Sequence, residues 1–151
     1  LTLQRLKSEL DRIRDQKTIV FTNGCFDILH VGHIRYLEQA KALGDLLVVA
    51  VNSDASVVRL KGPSRPVQTE SDRVAILQAL KSVDYVFVFD GETPEAEIQA
   101  LRPHVLVKGG DWPADQIVGA SFVQSYGGLV RSLSFVQGRS TSSIIDKILK
   151  I

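Results

Sequence analysis

One cysteine, Cys25, is all the sulfur chemistry this chain has, and it holds no methionine. A lone thiol cannot close an internal disulfide, so the fold must rest on a packed core and a reducing, cytoplasmic setting is expected. No charged-then-apolar leader or long apolar run suggests export or membrane insertion, so neither is expected, and no membrane partner is expected. Charge of one sign is also missing. With 18 Lys and Arg against 17 Asp and Glu, the formal net charge is +1, so no nucleic-acid partner is expected and any anion site must be local. Repeats, low-complexity tracts and linkers are absent. Neither a G-x-G-x-x-G fingerprint after a strand nor a G-x-x-x-x-G-K-S/T loop occurs, which argues against a dinucleotide-binding redox domain.

What is present is 151 residues, 44% apolar and 23% charged, enough for one substantial core and too few for two ordinary domains. A start at Leu1 is compatible with a trimmed chain or a piece of a longer polypeptide. Leu3, Leu6, Leu10 and Ile13 recur at helical spacing and predict an amphipathic helix ending near Gln16, packed on a single domain spanning 1–151. Thr18 to Phe21 reads as a strand stopped by the turn-favouring pair Asn23-Gly24. Helical spacing returns over 31–43, and the continuous apolar run Leu46 to Val51 suits a strand covered on both faces. Further strands are expected at 85–89, 104–107 and 129–136, and helices at 70–81, 94–101, 117–126 and 141–149, with Asp54 capping a short helix after the second strand. The alternation predicts an α/β, Rossmann-like domain: a parallel five-stranded sheet with helices on both faces. Ligands then bind beyond the carboxyl ends of the strands.

Those ends carry the polar chemistry. After the first strand, Asn23, Gly24, Cys25, Phe26 and Asp27 lead through Ile28-Leu29 to His30-Val31-Gly32-His33 at a helix start. Free N–H groups and the helix dipole favour phosphate there, and imidazoles three positions apart share one helical face, so both can reach one oxyanion. Gly32 keeps bulk away between them, and Gly24 allows a close turn under a nucleotide. Ordinary helix-start histidines, a zinc pair without a nearby third ligand, and a Cys25 nucleophile are the other readings of this segment. The basic stretch from Arg59 to Pro66 reads as a structured loop covering bound phosphates, with Lys61 and Arg65 as anion contacts. At another strand end, Lys108, Gly109 and Gly110 permit close backbone approach, Asp111 can accept from hydroxyls, and Trp112 either packs or flanks the pocket. Gly138, Arg139, Ser140, Thr141, Ser142 and Ser143 precede the last helix as a second phosphate cradle, in which capping accounts for one hydroxyl and not all four.

The segment Gly24 to His33 resembles the cytidylyltransferase-like nucleotidyltransferases, whose G-x-F-D-x-x-H-x-G-H signature it matches at every fixed position. The resemblance implies in-line transfer in which His30 and His33 hold the triphosphate as charge moves onto departing pyrophosphate. It also implies that Gly138 to Ser142 contact the triphosphate, that Arg73 lies near the site, and that Asp27 and Arg73 touch the substrate. Where some cytidylyltransferases of the family place an arginine three residues before that glycine, this chain has Phe135. TNGCFDILHVGH, VAVNSDASVVRLKGPSRPV, LVKGGDW and GRSTSSII are similar to the D-glycero-β-D-manno-heptose 1-phosphate adenylyltransferases, over nearly the whole chain. That similarity implies ATP and heptose 1-phosphate as substrates, Mg2+ as cofactor, cytoplasmic ADP-heptose synthesis for bacterial surface polysaccharide, a homo-oligomer, and occurrence alone or fused behind a sugar kinase. The sequence leaves open a CTP-dependent relative acting on glycerol 3-phosphate or a similar acceptor, and a nucleotide-binding regulatory module without turnover.

Overall fold

The computed structural model describes residues 1–151. Its elements run α1 (Leu3–Ile13), β1 (Ile19–Gly24), α2 (Val31–Lys41), β2 (Leu46–Asn52), α3 (Asp54–Lys61), α4 (Glu70–Gln78), β3 (Tyr85–Phe89), α5 (Glu95–Leu101), β4 (Val105–Gly109), α6 (Ala120–Ser125), β5 (Leu129–Leu133) and α7 (Thr141–Leu149), with a 3-10 turn at Ala114–Gln116. All five strands are parallel, in the order β3-β2-β1-β4-β5. The α/β, Rossmann-like class expected from the alternation of periodicities is the class observed.

Strand alternation sorts the core into two layers. Ile19 and Phe21 of β1 join Val48 and Ala50 of β2 on the face covered by Leu6 and Leu10 of α1 and by Ile98 and Leu101 of α5. Val20 of β1 and Leu47, Val49 and Val51 of β2 meet Leu37 and Ala40 of α2 and Leu77 of α4 on the other. Because both faces are covered, the central strand β2 reads as an apolar run from Leu46 to Val51. Arg14 secures α1 by donating to the carbonyls of Leu101 and Arg102 at 2.8 and 3.1 Å, where α5 ends.

Several boundaries differ from the sequence expectation, each for a tertiary reason. Asn23 and Gly24 do not stop β1, because they lie in register with Ala50 and Val51 of β2 and the ladder overrides their turn preference. β5 ends at Leu133, paired with Gly109, the last residue of β4, so 134–140 is released as a loop. Helix α3 continues through Lys61, which places that residue at a helix end and starts the loop at Gly62. Its N-cap is Ser53, whose hydroxyl accepts from the Ser56 amide at 3.0 Å, and Asp54 is instead the first helical residue.

Candidate active site

The carboxyl ends of the strands open into a cavity of about 460 Å³. It sits where the order turns about β1, with β2 and β3 on one side and β4 and β5 on the other, so crossovers diverge and leave a crevice.

The two histidines form one hydrogen-bonded unit at the start of α2. His30 is the N-cap: its Nδ1 accepts from the Gly32 amide at 3.0 Å, while the His30 amide donates to Nδ1 of His33 at 3.2 Å. Backbone N–H groups can only donate, so both Nδ1 atoms are unprotonated acceptors and each neutral ring carries its proton on Nε2. The ring centroids are 3.9 Å apart with planes 34° from parallel. Burial, then the charge of Arg139, lowers the pKa of His30. Burial, then His30 and Lys61, pushes that of His33 down to about 4. At neutral pH the pair therefore offers N–H donors without bringing positive charge of its own.

Gly32 is required by the ring it underlies, since a Cβ there would stand 2.7 Å from Cε1 and 2.8 Å from Nδ1 of His30. The preceding loop is strained: Phe26 and Ile28 hold φ values of 50° and 51°, a region that costs non-glycine residues about 1–3 kcal/mol each. What offsets that strain is a dense set of loop contacts. Asp27, 2% exposed, accepts from the amides of Val67 and Gln68 at 2.8 and 3.0 Å and from Nε of Arg65 at 3.1 Å. Burial alone would raise its pKa, but these donors hold it below the ordinary carboxylate value. The Ile28 amide donates to the Gln68 side chain at 3.0 Å, and Thr141 Oγ1 donates to the Asp27 carbonyl at 2.6 Å. The first-strand loop, the 62–69 loop and the start of α7 are thus tied together.

Asn23, Gly24, Cys25, Phe26, Asp27, His33, Lys61, Arg65, Lys108, Gly109 and Thr141, all singled out in the sequence, line the cavity. Others do not. His30 stands beside His33 and not in the lining itself. Gly138, Arg139 and Ser142 are exposed, with Arg139 Cβ 3.6 Å from where a Gly32 Cβ would lie. Ser140 and Ser143 cap one another, at 3.0 and 3.2 Å, so three of the four hydroxyls of this segment already serve protein contacts and only that of Ser142 is uncommitted. Asp111 accepts from the Ser134 hydroxyl at 3.1 Å, and the Lys108 ammonium lies 5.4 Å from the centroid of Trp112, which packs outside the cavity.

Arg73 and Asp27 were expected to touch substrate, and the structure gives both an internal task. Arg73 is fully buried: Nε donates to the Gln68 carbonyl at 3.1 Å, Nη1 to those of Cys25 and Asn52 at 2.7 and 2.8 Å, and Nη2 to Asp54 at 2.9 Å. It clamps the ends of β1 and β2 to the 62–69 loop from behind. Burial pushes the Cys25 thiol up in pKa despite nearby Lys61, Arg73 and Arg65, which keeps it protonated and a poor nucleophile. No three His, Cys, Asp or Glu side chains converge. With Asp27 already accepting three hydrogen bonds, both histidine Nδ1 atoms committed and no third ligand beside them, the chain's own side chains do not build a cage for Mg2+ or zinc.

Sequence reasoning missed Tyr36, Asn52, Glu92, Thr93 and Val118 in the lining, and the role of Phe135 there. Tyr36 follows His33 by three positions on the same helical face, and Glu92 and Thr93 follow a strand end, so both rules already in use would have found them. The Tyr36 and Thr22 hydroxyls share a 2.6 Å hydrogen bond, and burial pushes the Tyr36 pKa up to about 12.

A strand-loop-helix segment with paired imidazoles, at the carboxyl edge of a parallel sheet, is the architecture of a nucleotide-handling α/β domain. The cytidylyltransferase-like family model matches residues 21–145, and the chain belongs to that family of nucleotidyltransferases. It is 57% identical over 141 residues to the bifunctional protein HldE of Syntrophotalea carbinolica, covering 93% of this chain and 29% of that one. To the protein of the same name from Pseudomonas entomophila it is 53% identical over 151 residues, covering 99% and 32%. The chain therefore spans about three tenths of these curated relatives. Among solved structures, the lipopolysaccharide core biosynthesis protein of Thermoplasma volcanium superposes with a TM-score of 0.64 at 31% identity, over 82% of this chain and 99% of that one. Pantothenate synthetase of Thermus thermophilus shares the fold, with a TM-score of 0.60 at 18% identity over 95% and 65%. No helix is long and apolar enough to cross a membrane.

Proposed function

We propose that this domain transfers AMP from ATP to D-glycero-β-D-manno-heptose 1-phosphate, giving ADP-heptose and pyrophosphate. The observation that carries the reading is the convergence of His33, Lys61, Arg65, Lys108 and Thr141 on one cavity, beside a histidine pair locked in the Nε2–H tautomer. The acceptor rests on the sequence similarity to heptose 1-phosphate adenylyltransferases. The name of the Thermoplasma relative, a lipopolysaccharide core protein, is of the same chemical context.

In this reading an ionised oxygen of the acceptor phosphate attacks the α-phosphorus of ATP. The bond from that phosphorus to the bridging oxygen breaks, and pyrophosphate departs with the electron pair. No proton has to be removed from the nucleophile, so no protein base is needed. Lys61 and Arg65 align the two anions, a proximity effect that can supply a large share of the acceleration. His30 and His33 donate Nε2–H to oxygens that gain charge in the transition state, and the free amides at the start of α7 hold the outer phosphates. No side-chain cluster of the chain would hold magnesium by itself, and the chemistry the ion would supply is neutralisation of triphosphate charge.

A pyrophosphate-release screen of ATP and CTP against heptose 1-phosphate, glycerol 3-phosphate and an amino-alcohol phosphate tests this. ATP with heptose 1-phosphate is expected to give the highest rate. Faster release from CTP with another acceptor would replace the assignment, and nucleotide binding without release anywhere would make the domain a binding module.

A further inference from the structure

Phe135 is 61% exposed, yet it forms part of the cavity wall. Its ring is backed by main chain. A Cβ at Gly109 would stand 2.7 Å from ring atoms Cε1 and Cζ, so the ring rests directly on bare backbone at the end of β4, and its centroid lies 6.2 Å from that of Tyr36. The loop bearing it is pinned close by: the Gly110 amide donates to the Leu133 carbonyl at 2.8 Å, and the Ser134 hydroxyl donates to Asp111 at 3.1 Å. The phosphate-directed groups, His33, Lys61 and Arg65, lie toward β1 and α3, whereas Phe135 belongs to the β4–β5 side of the same cavity. Lys108 is the one cavity cation on that side, and its ammonium lies 5.4 Å from the centroid of Trp112, so the backed, wet face of Phe135 matches a flat heteroaromatic ring and not a phosphate. Trp112 does not compete for this task, since it is outside the cavity wall and faces the Lys108 ammonium.

We propose that Phe135 is a specificity-determining residue whose ring stacks on the nucleobase and favours a purine over a pyrimidine. The two fused rings of a purine cover more of the exposed face than one ring does. The inference rests on the nucleotidyltransferase reading above and adds the group that selects the base.

Calorimetric titration of ATP, CTP and inorganic tripolyphosphate into wild type, Phe135→Leu and Phe135→Tyr tests it, with melting temperatures recorded alongside. Leucine keeps apolar bulk without a π face, and the exposure of the site leaves the fold intact. Wild type is expected to bind ATP more tightly than CTP. Phe135→Leu should weaken ATP about tenfold, CTP less, and tripolyphosphate not at all, while Phe135→Tyr retains wild-type affinities. ATP affinity within twofold of wild type in Phe135→Leu, or an equal loss for tripolyphosphate, overturns the stacking role while leaving the function standing. Failure of the wild type to bind either nucleotide or tripolyphosphate overturns both.

Discussion

Replacing Gly32 by alanine should separate activity from stability. The added Cβ would come 2.7 Å from Cε1 of His30, so the ring must retreat by roughly 0.8 Å to regain an ordinary carbon–carbon separation. Its cap to the Gly32 amide is lost in the process, a cost of about 1 kcal/mol. Alanine returns a similar amount, because it favours helix over glycine by about 1 kcal/mol, and Gly32 lies in the first turn of α2. Urea unfolding should therefore shift little. Catalysis has no such compensation. Misplacing a group by about 1 Å can cost on the order of a hundredfold, or about 2.7 kcal/mol in the barrier. Pyrophosphate release by Gly32→Ala should thus fall about a hundredfold with the unfolding midpoint nearly unchanged. A rate within threefold of wild type would show that the placement of the His30 ring does not matter to the reaction, and the reasoning would fail.

Arg73→Met should destabilise the domain by about 3 kcal/mol, since it strips donors from the Cys25, Asn52 and Gln68 carbonyls and leaves Asp54 unpaired. Arg73→Lys should recover only part of this, because an ammonium cannot span the same fork. A raised KM with unchanged stability would instead make Arg73 a substrate contact. Imidazole NMR should find His33 titrating near pH 4, and a midpoint near the ordinary 6.5 would contradict its burial. Because the folded value lies below the unfolded one, the neutral ring contributes stability that is complete above about pH 6.5 and is lost as pH falls through about 4. The ring is partly exposed, so that contribution is on the order of 1 kcal/mol. It should be missing in His33→Asn when urea midpoints at pH 7 and pH 4 are compared.

Local pattern carried the fold a long way. Two-sided burial of the strands and helical spacing between them identify a parallel α/β sheet, and the sheet in turn says that polar residues at strand ends matter. What escaped local reading were effects of residues far apart in sequence. Asn23-Gly24 has the composition of a turn, and only its registry with β2 makes it strand. Arg73 looks like a solvated helix charge, and its burial depends on three carbonyls from Cys25, Asn52 and Gln68. Asp27 is a binding-site carboxylate by position, but the return of the 62–69 loop gives it three internal donors. The histidine pair was legible because its geometry is local, whereas its tautomer needed the two amide hydrogen bonds to be seen. Phe135 stood out only as a departure from an arginine of the family, inside an expected strand, and its contact with Gly109 joins segments that are separate in sequence.

The most direct trial of the account is turnover by His30→Ala and His33→Ala with saturating ATP and heptose 1-phosphate at neutral pH. Loss of one preorganised donor to a developing oxyanion costs about a hundredfold or more. Each variant should therefore remain folded and release pyrophosphate at least about a hundred times more slowly than wild type. Near-normal turnover in both would mean that the paired neutral imidazoles do not stabilise the transferring phosphates.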